Sequence, residues 1–171
     1  MVLTDYYAIK AHYFDASALV KLVADDPDEE PGREKLRKYH REHAHRYTVS
    51  FCVAEALGAL KRKFLRKKIS QAEYLKYVKN LLRVVGNTFQ IDELEALLPV
   101  VSEEFEQLVK KYKLDFVDCF QIATLKHGKY RVFDGPSKSI LITADRELAS
   151  VARSEKMRVW ECSSEEPPPR N

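Results

Sequence analysis

Ala11-His-Tyr-Phe-Asp-Ala-Ser-Ala-Leu-Val-Lys-Leu-Val-Ala24 sets a carboxylate between an apolar run and an amphipathic one. Ala11–Asp15 reads as a short buried strand, and Ala16–Ala24 as a short helix with Leu19, Val20 and Val23 inward. Asp15 therefore falls at the carboxyl end of a strand. The same arrangement recurs near the other end of the chain. Ser139–Thr143 (Ser-Ile-Leu-Ile-Thr) predicts a strand, Asp145 follows it, and Arg146–Glu155 predicts a helix. Between them, a strand over Tyr47–Ser50 precedes a long helix with Val53, Leu57, Leu60 and Phe64 on one stripe, and Glu55 falls in its first turn. Asp118 lies in a helix that Asp115 caps and that runs to His127. A charge in such apolar surroundings is costly without a partner. If the fold brings Asp15, Glu55, Asp118 and Asp145 together, the natural partner is a divalent cation. A cation held by carboxylates and water cleaves phosphodiesters.

The remaining elements fill an alternating pattern. Asp25–Gly32 is a turn, Arg33–His43 a polar helix, and the capping box Ser70-Gln-Ala-Glu73 starts a helix reaching about Val85. Phe89–Ile91 is a short strand, Glu93–Leu98 and Val100–Tyr112 are helical with a break at Pro99, Gly128–Ser137 is a loop, and Arg158–Glu161 is a last strand. Strands alternating with helices predict an α/β fold, a central parallel sheet with helices on both faces, in a single domain over 1–164. Glu165–Asn171, with three prolines, reads as a disordered tail. In such sheets the cleft lies at the carboxyl ends of the strands, where Asp15 and Asp145 are placed.

Composition narrows the function further. The chain has 171 residues, 45% of them apolar, and Lys and Arg exceed Asp and Glu by 29 to 26, which permits nucleic-acid binding without announcing it. Cys52, Cys119 and Cys162 are too few for a disulfide framework and point to a reducing compartment, with Cys52 and Cys119 read as small core residues. The start carries no basic end followed by an apolar segment, and no apolar run reaches the ~20 residues of a membrane helix, so a cytoplasmic protein without membrane contact is expected. Five glycines, with no Gly-x-Gly-x-x-Gly or Walker loop, argue against phosphate cradling by backbone. A haloacid-dehalogenase-like phosphatase would want an Asp two residues after Asp15, and Ser17 stands there.

Four stretches resemble the motifs of the PIN-domain family in order. They are Phe14-Asp-Ala-Ser-Ala-Leu-Val-Lys21, Ser50-Phe-Cys-Val-Ala-Glu55, Asp118-Cys-Phe-Gln-Ile-Ala-Thr124 and Leu141-Ile-Thr-Ala-Asp145. The resemblance spans about 11–161. It implies a PIN-like fold and a Mg²⁺- or Mn²⁺-dependent ribonuclease, similar to the toxin of VapBC-type toxin–antitoxin pairs. It further implies an RNA substrate, an antitoxin partner and a homodimer. The matching positions Asp15, Glu55, Asp118 and Asp145 form the family's acidic pocket. Asp15 and Asp118 are expected as direct metal ligands, with Glu55 and Asp145 holding waters of the ion or completing a second site. Cys119 departs from the alanine common in the family. The competing classes are a non-catalytic PIN-like module that binds RNA or protein, and an acidic-pocket phosphatase or phosphotransfer domain.

Several residues carry two readings. Ser17 and Thr143 either orient waters and carboxylates or bond nearby backbone. Asp115 is an N-cap or a fifth acid. Lys61-Arg-Lys-Phe-Leu-Arg-Lys-Lys68 contacts RNA phosphates, with Lys61 and Arg62 as the candidates, or is a solvated helix end. Lys21 touches substrate or is a surface lysine. His40, His43 and His45 lack a fourth ligand for zinc and read as an exposed polar helix end.

Overall fold

The computed structural model describes residues 11–92, 99–127 and 139–168. Its five strands are β1 (His12–Phe14), β2 (Arg46–Thr48), β3 (Gln90–Ile91), β4 (Ile140–Thr143) and β5 (Val159–Glu161). All pair in parallel, in the order β3-β2-β1-β4-β5. Seven helices connect them: α1 (Ala16–Val23), α2 (Arg33–Glu42), α3 (Ser50–Leu65), α4 (Gln71–Thr88), α5 (Pro99–Lys111), α6 (Phe116–His127) and α7 (Arg146–Ser154). The expected α/β architecture is present.

Strand side chains alternate between two cores. Phe14, Ile140, Ile142 and Trp160 face a layer built from α1–α4, with Leu19, Leu36, Leu60 and Leu81 at its centre. Tyr13, Tyr47 and Leu141 face the opposite layer of α5–α7, with Leu108, Ile122 and Leu148. Register binds the two layers together, because Tyr13 lies beside Leu141 and Phe14 beside Ile142. Helix entry follows local chemistry. The Ser70 hydroxyl accepts from Glu73 N–H at 3.2 Å, and the Glu73 carboxylate accepts from Ser70 N–H at 2.8 Å, completing the capping box at the start of α4. The helix expected over Val100–Tyr112 is present as α5, whose first described residue is Pro99.

Some expectations change. The tail is held as far as it is described: Arg153 binds the Glu165 carboxylate at 2.7 Å, Trp160 donates to the Glu165 carbonyl at 3.3 Å, and Lys35 pairs with Glu166. His45 is exposed as expected, but His40 and His43 are not a solvated helix end. His40 stacks on Phe89, and burial lowers its pKa to about 4; His43 stacks on Tyr39 at 3.9 Å. The segments expected as a helix over Glu93–Leu98 and a loop over Gly128–Ser137 lie outside the described residues. Among the described residues no helix is long and apolar enough to cross a membrane.

Gly32 is the tightest point of the chain. It precedes α2 with φ +71°, and a Cβ there would sit 1.7 Å from the Cys162 carbonyl oxygen. Only glycine satisfies both conditions. Gly32→Ala is expected to cost at least about 2 kcal/mol from left-handed strain and overlap together. Urea unfolding should show a lower midpoint with an unchanged m-value, and a midpoint equal to wild type would contradict the packing described.

Candidate active site

The chain leaves β1 toward β2 on one side and returns to β4 on the other, so the connections part between these neighbouring strands. Ligands of open α/β sheets bind outside the strand ends at such a switch point. Asp15 follows β1 and Asp145 follows β4, which puts both there.

Asp15 is 3% exposed and held from several elements. Its Oδ1 accepts the Ala18 N–H at 2.7 Å, capping α1. The Ser17 hydroxyl lies 2.9 and 2.8 Å from the two carboxylate oxygens, and Thr143 Oγ1 donates to Oδ2 at 2.7 Å. Each hydroxyl oxygen is itself an acceptor: Ala144 N–H donates to Ser17 at 2.8 Å, and Asp145 N–H to Thr143 at 2.9 Å. Their protons are therefore directed at the carboxylate. Burial pushes the Asp15 pKa up to about 6, although all three donors favour the anion, and Asp145 adds repulsion. The carboxylate is ionised at neutral pH. Both readings of Ser17 and Thr143 hold at once, since each hydroxyl orients Asp15 and satisfies backbone.

Asp145 is exposed, and its Oδ1 caps α7 by accepting from Glu147 N–H at 2.7 Å and Leu148 N–H at 3.0 Å. Glu55 lies in the second turn of α3 rather than the first, because Ser50 is already helical. The helix N-terminus therefore helps it little. Burial raises its pKa, followed by repulsion from Asp115 and Asp15, while Arg62 pulls it down. Asp118, third residue of α6, is half-buried, and its pKa is pushed up to about 8, first by burial and then by Asp115, Asp15, Glu55 and Asp145. The four expected acids thus share one electrostatic field at the carboxyl end of the sheet. Asp115 joins them while bonding Asp118 N–H at 3.0 Å, so it is both cap and fifth acid.

The basic candidates separate. Lys21 is not a surface lysine: it is 2% exposed, with its amine on the Glu29 carbonyl at 3.2 Å and the Glu29 carboxylate at 3.5 Å. Lys61 lies over the rings of Phe64 and Tyr74 at 5.2 and 5.4 Å. Lys63 binds Asp26 at 2.7 Å and Glu29 at 2.9 Å, and Lys68 binds Asp28 at 2.7 Å. The acidic turn after α1 thus neutralises part of the basic run. The charge pattern of Asp-Asp-Pro-Asp-Glu-Glu against Lys61–Lys68 was the available signal for this pairing. Arg62 lines a pocket of about 330 Å³ with Ser17, Glu55 and Ala144, and Lys21 and Lys63 line it as well.

Among the described residues, no three His, Cys, Asp or Glu side chains stand close enough to hold a metal ion as placed. The donor chemistry nevertheless fits a hard divalent cation. Every donor is oxygen, the acids repel one another, and no described group donates a hydrogen bond to the carboxylates of Glu55 or Asp118.

A carboxylate cluster at the switch point of a five-stranded parallel sheet defines a class of acidic-site α/β domain. Residues 12–154 match the PIN domain, and the chain belongs to that family. PIN domains are generally nucleases and generally use divalent metal ions. The chain is also similar to the crystal structure of PAE2754 from Pyrobaculum aerophilum, at 20% identity over 92% of this chain and 88% of that one, with a TM-score of 0.57. At that identity the likeness shows the fold alone. No curated protein sequence matches the chain.

The acids set a pH dependence. Asp118 is ordinarily near 3.8 and is raised to about 8 in the fold. Its contribution to stability is full below pH ~4 and is lost as pH rises through 8. His40, lowered to about 4, and Glu155, lowered to about 2, act in windows below pH ~6.5. Without metal, stability should therefore decline between pH 6.5 and 8, with a slope of at most about 1.4 kcal/mol per pH unit for one proton. Asp118→Asn should flatten that decline and melt no lower than wild type at neutral pH. Melting curves in EDTA across pH 5–9 test this, and an unchanged slope in the variant would remove Asp118 as its source.

Proposed function

We propose that the chain is an endoribonuclease that hydrolyses RNA phosphodiester bonds with Mg²⁺ or Mn²⁺. The observation that carries this reading is the position of Asp15 and Asp145 just after β1 and β4, with Glu55 and Asp118 near enough to feel their charge. Asp15, Asp118 and Asp145 would hold the ion. When bound, it supplies positive charge that offsets charge building on the phosphate and makes water more acidic. Asp15 is kept ionised and oriented by Ser17 and Thr143. Glu55, with a raised pKa and no described donor on its carboxylate, can take the proton of the attacking water. Arg62, facing the pocket beside Glu55, can meet a neighbouring phosphate.

Cleavage of single-stranded RNA should require Mg²⁺ or Mn²⁺, stop with EDTA and fall by at least ~100-fold in Asp118→Asn, the usual scale for loss of a site charge. Cutting that persists in EDTA would sink the reading. The setting we propose, the toxin of a toxin–antitoxin pair, is supported by the motif resemblance; the product of an adjacent short reading frame should suppress cleavage when co-expressed.

We also propose a homodimer through the first layer of helices. Leu65, Leu75 and Leu82 are 65%, 57% and 52% exposed, and the latter two lie two turns apart on α4. Sedimentation should give a dimer that Leu75→Glu with Leu82→Glu converts to monomer; a wild-type monomer would contradict it.

A further inference from the structure

Four phenylalanines meet where α3, α5 and α6 come together. The rings of Phe116 and Phe120 are 4.5 Å apart, and Phe105 lies 5.2 Å and 4.9 Å from them. Phe51 lies 6.1 Å from Phe116 and 5.7 Å from Phe120. Phe105 and Phe120 pack against the second core, whereas Phe51 and Phe116 remain 38% and 53% exposed. Two adjacent exposed phenyl rings are unusual on a soluble surface and mark an interaction site. Their position says which. Phe51 precedes Glu55 by one turn on α3, so the two share a face. Phe116 opens α6 directly between Asp115 and Asp118. The rings therefore border the acid cluster at the carboxyl end of the sheet.

We propose that Phe51 and Phe116 form a stacking platform for an unpaired nucleobase next to the scissile phosphate. The proposal rests on the nuclease reading above. Asp115, Asp118 and Glu55 repel phosphate from the patch, so only the flat, uncharged part of a nucleotide suits it. A duplex keeps its bases stacked inside and cannot present one. Phe105 and Phe120 brace the front rings from behind, so little order has to be gained on binding. A second copy of the chain is a poor occupant, because two-fold pairing here would set these acids against the same acids.

Phe116→Trp supplies a reporter, since the chain's one tryptophan, Trp160, is 2% exposed. In an Asp118→Asn background with Mg²⁺, single-stranded RNA should quench its fluorescence, and the matched duplex or a strand with abasic flanking positions should not. In the otherwise native chain, Phe51→Ala with Phe116→Ala should lower kcat/KM on single-stranded RNA by roughly 5- to 150-fold, the range for loss of one base stack. Phe51→Leu with Phe116→Leu, which preserves packing, should fall likewise, and Phe116→Trp should retain activity. Quenching without cleavage at any metal would leave the platform standing and defeat the nuclease reading. Cleavage unaffected by the Leu pair, or quenching equal for duplex and single strand, would overturn the platform and spare the nuclease. A dimer that the Leu pair dissociates would also overturn it.

Discussion

The carboxylate of Asp15 is the interaction on which the site depends. It is almost completely buried, yet it accepts from a backbone N–H and from two hydroxyls whose own oxygens are held by backbone N–H groups. Direction runs one way through this network, from amide to hydroxyl to carboxylate. It couples β1 and α1 to the end of β4 and the start of α7. A buried anion is tolerated only with such donors, and the donors are ordered only because the anion is there. One residue thereby stabilises the junction of two central strands and fixes the charge around which the other acids gather.

That gathering works against stability. Asp118 and Glu55 have pKa values raised by burial and then by neighbouring carboxylates, Asp115 and Asp15 foremost. Two carboxylates ~4 Å apart repel by about 4 kcal/mol at an effective dielectric of ~20 before anything relaxes. The fold offsets the cost locally. Asp145 and Asp115 spend an oxygen on helix starts, and Arg62 lies close enough to pull Glu55 down. Perturbed carboxylates in a shared cleft are a mark of function, because packing alone gives no reason to collect like charges.

Beside the acids, opposite charges pair in the ordinary way. The acidic turn after α1 and the basic end of α3 neutralise each other through Lys63, Asp26 and Glu29, with Lys21 buried against Glu29. The near-balance of the composition is thus resolved in space: paired charges along the first helical layer, unpaired acids at the strand ends.

The sequence by itself determined the order of strands and helices, because periodicity, the Ser70 capping box and the apolar runs before Asp15 and Asp145 are local signals. It also singled out four acids as candidates, since each stands where an unpartnered charge would be costly, and their order resembles that of the PIN motifs. It did not determine the side chains' environments. Lys21, read at the surface or on substrate, is internal because Glu29 folds back from a turn eight residues later. His40, near the end of α2, is stacked because Phe89, far along the chain, arrives beside it. The start of the tail is tied down by Arg153 and Lys35. Glu55 moved one turn inward because Ser50 enters the helix without a side-chain cap. His40 and the start of the tail depend on partners distant in sequence. A single residue's chemistry sets what it requires of its surroundings, but only the tertiary structure decides which partner supplies it.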